Sequence, residues 1–263
     1  MRDFVPVGSL LGFVAGVVLT AWTAKVIGMA SKKKEKIKAL MFDFGGTLAF
    51  LDYELLAREF SREGRKLDAL TLEHTEYAGR AAIDRHLMSD GNKVVAGAYE
   101  QFFRGWMEAV GIPEEEFLEY SAKFLAIHRE ATLWRVVRPG TFEALEQFKS
   151  AGYKLAVVSN AEGQVEADAK RFGLAKYFDV IIDSHIVGVA KPDPRIFQIA
   201  LERLGVGADE VKFTGDIYSI DVAGARAAGI EARLVDQHDR YTWVEHQKIR
   251  HIGELHSIEE PNP

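Results

Sequence analysis

The second half of the chain alternates between short apolar runs and longer segments with helical periodicity, and this alternation restricts the possible folds more than any other feature. Parallel strands need long crossover connections, which helices usually provide. A repeated strand–helix pattern is therefore typical of a parallel sheet with helices on both faces. We predict strands at residues 154–158, 180–182, 211–213 and about 232–235, and helices at residues 141–150, 164–172, 194–204 and 220–228.

One more strand is predicted far upstream of this region. Residues 37–42 form an apolar run that ends at Asp43 and is followed by two glycines, as expected for a buried strand that stops at a glycine turn. Residues 51–137 instead carry apolar residues at helical spacing, enough for about four helices. We therefore predict an α/β fold: a three-layer, Rossmann-like parallel sheet core formed by residues 31–50 and 138–263, with an inserted α-helical cap.

Composition excludes several functional classes. The 263 residues carry a formal charge of −6 at pH 7, whereas a domain that tracks nucleic-acid phosphates is usually basic, so we expect no nucleic-acid partner. The chain contains no cysteine, which rules out disulfides, a thiolate nucleophile and a cysteine-based zinc site. The length suits one large domain or a domain with an insertion.

The N-terminal segment, residues 1–30, differs in character from the rest of the chain. No charged residue occurs from residue 4 to residue 24, a run of 21 residues, and a helix needs about 20 apolar residues to span a bilayer. A lysine-rich segment follows this run, whereas Arg2 is the only basic residue before it. The excess of lysine on the C-terminal side predicts a transmembrane helix that anchors the protein, with the catalytic part in the cytoplasm.

Alternatives remain open for this segment. Gly8, Gly12 and Gly16 recur every four residues, which permits a dimer through close approach of two membrane helices, although small residues are common in such helices without that contact. A signal peptide cleaved after Ala30 fits a small-x-small site, but the lysines just beyond it are unfavourable for export. Translation starting at Met29 would give a soluble cytoplasmic protein.

Four polar residues lie where predicted strands end or in the loop that follows: Asp43, Ser159, Lys191 and Asp216. In open α/β sheets the ligand crevice lies beyond the carboxyl ends of the strands, so these side chains are expected to converge there. Each of them alone has an ordinary explanation, such as a turn residue, a helix N-cap or a solvated lysine. Their joint occurrence in this order indicates a catalytic site.

These positions resemble the four motifs of haloacid dehalogenase-like hydrolases. The matching segments are Asp43-Phe44-Gly45-Gly46-Thr47-Leu48, Ser159-Asn160, Lys191-Pro192-Asp193-Pro194, and Gly215-Asp216 with Asp221. The helical insert between the first and second strands resembles the helical-cap subgroup of that family. The resemblance extends from residue 37 to about residue 235, so the N-terminal apolar run lies outside it.

The resemblance implies an Mg²⁺-dependent phosphatase for a small phosphorylated substrate, in which Asp43 accepts the phosphoryl group as an aspartyl-phosphate. The chemistry of the residues agrees, because a carboxylate that attacks a phosphate dianion is repelled unless a hard dication bridges both. Lysine supplies a compact positive charge for phosphate oxygens. By resemblance, the catalytic residues are Asp43, Ser159 and Lys191, the phosphate-binding residues are Thr47, Gly46, Ser159, Asn160 and Lys191, and the Mg²⁺ ligands are Asp43, the Gly45 carbonyl, Asp216 and Asp221.

Gly45 departs from the family pattern. Phosphatases of this family generally carry a second aspartate two residues after the nucleophile, as general acid and base, and Gly45 stands at that position. General acid–base catalysis typically contributes about 10²–10⁴-fold, so its loss should be felt unless another group substitutes. His86, His128 and Arg129 of the cap are candidates, although such cap residues are more often surface or helix-bundle groups.

Two other functions remain open. Dehalogenases of the same superfamily cleave carbon–halogen bonds and also lack the second aspartate, but they need no metal, whereas the Gly215-Asp216 loop is of the magnesium type. The third hypothesis is a membrane-tethered, weakly active scaffold, which Gly45 and the N-terminal run suggest. The presence of the full set of motif residues weighs against it, because a scaffold does not need them. The histidines of the polar tail have no ligand spacing and are expected to be exposed: His238, His246, His251 and His256.

Overall fold

The computed structural model describes residues 37–62, 64–89, 97–245 and 247–255, and within them six strands form one sheet that is parallel throughout. This confirms the predicted parallel α/β sheet. The strands are β1 (Ala39–Phe42), β2 (Phe50–Leu51), β3 (Trp134–Val136), β4 (Lys154–Ser159), β5 (Val180–Asp183), β6 (Val211–Gly215), β7 (Glu231–Val235) and β8 (Lys248–Ile249). The spatial order of the sheet is β5-β4-β1-β6-β7-β8, and β2 pairs with β3 in a separate antiparallel sheet.

Helices cover both faces of the sheet, as β1 at its centre shows. Ala39 and Met41 pack into one hydrophobic cluster, and the alternate residues Leu40 and Phe42 pack into another. Successive side chains of a strand point to opposite faces, so a strand buried on both faces is a continuous apolar run. The helices are α1 (Tyr53–Phe60), α2 (Ala69–Ser89), α3 (Ala98–Val110), α4 (Phe117–Glu130), α5 (Thr141–Ser150), α6 (Val165–Arg171), α7 (Ser184–Val187), α8 (Pro194–Leu204) and α9 (Ala223–Ala227).

Local sequence explains where these helices begin and end. Helix α8 follows Asp193, whose side chain accepts a hydrogen bond from the amide of Arg195 at 2.9 Å, and Pro194 occupies the first turn. Proline is tolerated there because its missing N–H is not needed. The helix ends at Gly205 in the left-handed conformation, which satisfies the last carbonyl groups. Helices α5 and α6 pack on one face of the sheet, and α8 and α9 pack on the other.

The segment between β2 and β3 forms the four helices α1 to α4 and has its own hydrophobic core. Aromatic residues dominate this core; Trp106 is fully buried and packs on Phe102 and Phe124 with ring centroids 5.7 and 6.4 Å apart. The same cluster includes Ile220, which lies just after the end of β6. Strands β2 and β3 join this helical cap to the sheet domain as an antiparallel pair.

The described residues between 238 and 255, which the sequence does not place, belong to the folded core. Strand β8 pairs with β7 and covers what would otherwise be an unpaired edge. Tyr241 is 1% exposed and joins the cluster on one face of the sheet.

The expectation that the tail histidines are exposed is wrong for two of them. His238 and His251 are half-buried, and Nε2 of His251 lies 3.1 Å from Oγ1 of Thr141 on α5. The physical reason is the packing of the tail, which polarity alone does not reveal: His251 contacts α5 of the sheet domain, and His238 packs against His74 of α2 in the cap. His246 and His256 lie outside the described residues.

The predicted transmembrane helix, the face formed by Gly8, Gly12 and Gly16, and the alternatives at Met29 and Ala30 also lie outside the described residues. In the part of the chain that the structure describes, no helix combines the length and apolarity needed to cross a membrane. The N-terminal anchor therefore stays a prediction.

Candidate active site

The carboxyl ends of adjacent strands bring the acidic motif residues together. Asp43 follows β1 and Asp216 follows β6, which is the neighbour of β1 in the sheet. The backbone amide of Asp43 extends this pairing by donating to the carbonyl of Thr214 at 2.8 Å. Two aspartates that are distant in sequence thereby lie at the same edge of the sheet, as expected for an open parallel sheet.

The turn after Asp43 places Gly46 directly against the Asp216 side chain. The amides of Leu48 and Ala49 both donate to the carbonyl of Phe44 at 2.9 Å and close the turn. Gly46 has φ +75°, and a Cβ atom at this position would lie 2.3 Å from Oδ2 of Asp216. Both the backbone conformation and the lack of space require glycine at Gly46.

Lys191 connects the nucleophile candidate to a second acid. Its Nζ lies 2.5 Å from Oδ1 of Asp43 and 2.6 Å from Oδ1 of Asp221, and the lysine is 1% exposed. Burial alone would lower the pKa of Lys191, but the charges of Asp221 and Asp43 outweigh it and raise the pKa above its ordinary value. The lysine is therefore a permanent cation between two carboxylates.

Asp221 also organises the loop after β6. Its Oδ2 accepts hydrogen bonds from the amides of Asp216 and Ile217, both at 3.0 Å. The residues Tyr218–Val222 form a π-helical turn rather than the start of the predicted helix 220–228. Such turns are rare and frequently occur at functional sites. Here the turn directs the Asp221 side chain back to the site.

Asn160 fixes Lys191 from the neighbouring strand. Its Nδ2 donates to the carbonyl of Lys191 at 2.9 Å, and its Oδ1 accepts from the amide of Lys191 at 2.7 Å. The side-chain amide predicted to bind phosphate is thus already engaged in positioning the lysine. Ser159 ends β4 and is buried. Thr47 is also buried, and within the described residues its hydroxyl has no hydrogen-bond partner.

The donor set fits a magnesium ion. Oxygen atoms of Asp43, Asp216 and Asp221 lie within 4.8 Å of one another, and all three residues are buried. In octahedral coordination at about 2.1 Å, ligand oxygens lie about 3 to 4 Å apart, so small side-chain adjustments close the remaining gap. Gly45 lies in the same turn; its carbonyl as a ligand stays a prediction.

Burial of these acids disfavours their charged forms. It raises the pKa of Asp43 to about 6, even though Lys191 opposes the rise. Burial also raises the pKa of Asp216 well above its ordinary value. Because a carboxylic acid kept in a dry site needs a cation to stay ionised, this arrangement favours a bound cation.

Comparison with known proteins identifies the family. The family model of haloacid dehalogenase-like hydrolases matches residues 37–229, which is most of the chain. The chain belongs to this family. It is 31% identical over 160 residues to the phosphoserine phosphatase of Thermus thermophilus, a match that covers 60% of this chain and 63% of that protein. The chain thus spans less than two thirds of that relative's length.

Two longer matches agree with this assignment to the haloacid dehalogenase-like hydrolases. The (S)-2-haloacid dehalogenase 4A of Burkholderia cepacia is 25% identical over 82% of this chain and 90% of its own length. The crystal structure of a phosphatase of this family from Thermococcus onnurineus matches 86% of this chain and 99% of its own with a TM-score of 0.53 and 28% identity.

The cap contributes a charged pair that the sequence motifs do not include. Arg80 on α2 is buried, and its Nη1 lies 3.1 Å from Oδ2 of Asp216. Its Nε donates to both carboxylate oxygens of Glu76 at 2.7 and 3.0 Å. Glu76 and Arg80 are four residues apart on one helix, a spacing that is visible in the sequence but is also typical of a solvated pair.

The position of the missing second aspartate is covered by an indole ring. A Cβ atom on Gly45 would lie 3.0 Å from Cδ1 and 3.2 Å from Nε1 of Trp134 on β3. Trp134 packs in turn against His128, with ring centroids 5.4 Å apart, and Nδ1 of His128 accepts from the amide of Leu133 at 3.2 Å. An aromatic side chain therefore fills the place where the family's general acid would extend.

Tyr99 reaches the site from the first turn of α3. Its hydroxyl donates to the carbonyl of Asn160 at 3.3 Å. The residue is 57% exposed. Desolvation of the phenol raises the pKa of Tyr99 to about 12, and the charge of Asp43 adds to the rise. The phenol is neutral at physiological pH and can donate a hydrogen bond at the mouth of the site.

The three cap residues suggested as replacements for the second aspartate differ in their exposure and contacts. Arg129 is exposed near the end of α4, and His86 is half-buried in the last turn of α2. Among the hydrogen bonds and ion pairs of the described residues, none joins His86, His128 or Arg129 to Asp43.

Proposed function

We propose that this chain hydrolyses a small phosphate monoester with the help of Mg²⁺, through a covalent aspartyl-phosphate on Asp43. One observation carries the proposal: the buried charges of the site do not balance. The ion pairs join four carboxylates, those of Asp43, Asp216, Asp221 and Glu76, to the two cations of Lys191 and Arg80. When all are ionised, two negative charges are left, which one divalent cation neutralises.

The residues support a two-step reaction. An oxygen of Asp43 attacks phosphorus, the O–P bond forms and the ester P–O bond breaks. The leaving oxygen takes a proton from solvent water. Water then attacks the aspartyl-phosphate, which releases inorganic phosphate and regenerates the carboxylate. Lys191 holds Asp43 in place and offsets the phosphoryl charge. The bound Mg²⁺ would be held by Asp43, Asp216 and Asp221, and it would screen the repulsion between carboxylate and phosphate.

The covered position at Gly45 bears on the substrate. Without an acid at that position the leaving oxygen receives less help, so esters with acidic leaving groups should react fastest. The match to a phosphoserine phosphatase supports a small phosphorylated metabolite as the natural class of substrate. The hydroxyl of Tyr99, which donates to the carbonyl of Asn160 beside the site, can contact such a substrate.

The test is release of inorganic phosphate from p-nitrophenyl phosphate and from a panel of small phosphorylated metabolites, with Mg²⁺ and with EDTA. We expect Mg²⁺-dependent turnover that falls at least about 10³-fold in Asp43→Asn. Beryllofluoride, which coordinates a carboxylate as an analogue of the aspartyl-phosphate, should bind to wild type and not to the variant. Equal turnover of wild type and Asp43→Asn would refute the proposal.

A second candidate is hydrolytic dehalogenation. The similarity to a haloacid dehalogenase over most of both chains, together with Gly45, favours it. The acids Asp216 and Glu76 weigh against it, because a metal-free site has no counter-charge for them beyond Arg80. Halide release from 2-chloropropionate that persists in EDTA would support dehalogenation over phosphate hydrolysis.

For the N-terminal run we propose a membrane anchor that keeps the catalytic part in the cytoplasm and permits dimers through Gly8, Gly12 and Gly16. Carbonate extraction of membranes tests this. Retention of the full-length protein in the pellet supports the anchor. Recovery in the soluble fraction with an N-terminus at Met29 supports the late start, and an N-terminus just after Ala30 supports a signal peptide.

A further inference from the structure

Arg80 places a cap-borne positive charge on a carboxylate of the candidate metal site. It lies on α2, it is buried, and its Nη1 is 3.1 Å from Oδ2 of Asp216. Asp216 is one of the three acids whose oxygens can share an ion. With the metal of the proposed function bound, the same carboxylate would face two cations, that metal and the guanidinium from the cap.

Glu76 determines how Arg80 is held. The two hydrogen bonds from Nε of Arg80 go to Glu76 at 2.7 and 3.0 Å, one helical turn away. The contact with Asp216 is an ion pair and not a second well-directed hydrogen bond. Arg80 thus acts on Asp216 mainly through its charge. Its hydrogen bonds to Glu76 would hold the guanidinium in place when a metal ion binds Asp216 instead.

Charge repulsion follows from this geometry. A single positive charge a few ångströms from a dication costs free energy, and the cost is larger in a buried site than in water. Glu76 offsets part of the charge of Arg80, so the two side chains should shift metal affinity in opposite directions. Without Arg80 the linked acids gain one negative charge; without the Glu76 charge they lose one.

We propose that Arg80 is a built-in counter-cation that competes with the metal for Asp216, so that the position of the cap sets the metal affinity of the core. The inference rests on the metal-dependent function proposed above. In the absence of metal, Arg80 stabilises Asp216 and fastens α2 to the loop after β6. Binding of the metal weakens this contact, and displacement of α2 strengthens metal binding, because such coupling is reciprocal.

The experiment measures the affinity of Mn²⁺ by electron paramagnetic resonance of the free ion, with the full chain and no substrate. We expect Arg80→Gln to bind Mn²⁺ about tenfold or more tightly than wild type. Glu76→Gln should bind it more weakly by a similar factor, and the double variant should return close to wild type because its net charge is that of wild type.

Two control variants show where Mn²⁺ binds and whether the change in affinity is specific to Arg80. Asp216→Asn should abolish the binding, which assigns the signal to this site. Arg65→Gln removes another cap arginine that is paired with a glutamate, Glu116, and makes no contact with the site acids; it should leave the affinity unchanged. Hydrogen exchange of residues 69–89 gives a second readout: Mn²⁺ should accelerate exchange in α2 of wild type and not in Arg80→Gln.

Other outcomes overturn the inference. Weaker binding in Arg80→Gln means that the arginine orients Asp216 instead of competing with the metal, and equal affinity in all three cap variants means that the cap does not act on the metal. In both cases Asp216→Asn still removes binding and the phosphatase proposal stands. If Arg80→Gln does not fold, Glu76→Gln decides, since unchanged affinity there contradicts the charge argument. Absence of binding in every variant overturns both the inference and the metal-dependent function.

Discussion

The sheet side and the cap side of the active site are built by different means. On the sheet side, Asp43, Lys191 and Asp221 come from strand ends and the loops after them, and they are paired with one another. On the cap side, Arg80 comes from a long helix and Trp134 from the short strand that joins cap and sheet. They reach the site only because the cap packs across the edge of the sheet.

The difference separates two tasks. The sheet side presents the proposed nucleophile and a cation at fixed positions, so it is expected to determine which bond can be attacked. The cap side covers the place of the general acid at Gly45 and adds a charge at Asp216. The cap is therefore expected to set leaving-group preference and metal affinity, whereas changes on the sheet side should remove the reaction itself.

The largest effect is expected for Lys191→Met. Removing this buried cation leaves Asp43 and Asp221 facing each other without compensation. We expect activity on p-nitrophenyl phosphate to fall by about 10³-fold or more, and the free energy of unfolding to fall by about 3–5 kcal/mol. Steady-state kinetics and urea titration measure both.

The control is Lys149→Met, which removes a partly exposed ion pair with Asp179. It should lower the free energy of unfolding by less than about 1 kcal/mol. Wild-type turnover in Lys191→Met would contradict the expectation that changes on the sheet side remove the reaction.

Arg80→Gln should affect stability more than catalysis. In metal-free protein the variant leaves Glu76 and Asp216 buried without their partner, so the free energy of unfolding should fall by about 3 kcal/mol. Mg²⁺ should restore more stability to the variant than to wild type, because it neutralises the excess charge. Thermal unfolding with and without Mg²⁺ measures this. An equal gain from Mg²⁺ in both proteins would show that the cap charge does not influence the core.

Gly45→Asp tests the indole cover. Alone, the new side chain collides with Trp134, so we expect stability to fall by about 1–3 kcal/mol and no gain in activity. Combined with Trp134→Ala, the carboxyl group has space and can protonate the leaving oxygen, so hydrolysis of an alkyl phosphate should rise by about 10²-fold. Hydrolysis of p-nitrophenyl phosphate should rise much less, since its leaving group needs little help.

Trp134→Ala alone is the control for this comparison. It opens space without adding an acid, so the ratio of alkyl to aryl turnover should stay at the wild-type value. A rise in that ratio with Trp134→Ala alone would mean that water, admitted by the cavity, replaces the acid.

Stability should depend on pH in a direction set by the sheet-side acids. The pKa of Asp43 is raised from 3.8 to about 6 in the folded protein, so between about pH 4 and pH 6 the folded state binds more protons than the unfolded state. The contribution of Asp43 to the free energy of unfolding therefore decreases as pH rises through this window. Mg²⁺ binds the ionised acid, so its stabilising effect should increase by about 1 kcal/mol from pH 5 to pH 7.

Thermal unfolding at both pH values, with and without saturating Mg²⁺, checks this dependence. Asp43→Asn lacks the titrating group, and it should show a smaller difference between the two pH values. A stabilisation by Mg²⁺ that is independent of pH in wild type would contradict the assigned shift.

The smallest effect is expected for Tyr99→Phe. Its hydroxyl makes one hydrogen bond, to the carbonyl of Asn160 at 3.3 Å, and the residue is largely exposed. We expect a two- to tenfold rise in KM, about the worth of one hydrogen bond, with little change in kcat for aryl phosphates. Tyr177→Phe, in the helical layer of the sheet domain, is the matched control and should change neither constant.

The sequence alone was sufficient for the sheet and for the acids on its edge. Apolar runs of a few residues that alternate with amphipathic segments predict a parallel sheet because burial on both faces demands that composition, and the structure has that sheet. Asp43 and Asp216 stand directly after such runs, and Lys191 lies in the loop that follows another. Parallel strands place their carboxyl ends together, so the meeting of these residues follows from chain order.

Only the tertiary structure decided what faces these acids. Glu76 and Arg80 have the spacing of an ordinary surface ion pair, and Trp134 is an aromatic residue of the kind that is common in protein cores. No local sequence pattern therefore distinguishes these three residues from residues outside an active site. Their roles depend on the angle at which α2 and β3 cross the edge of the sheet, which is set by packing between segments distant in the chain. Local periodicity determines elements and their buried faces, but contacts between elements depend on how those faces fit together, and that information is not local.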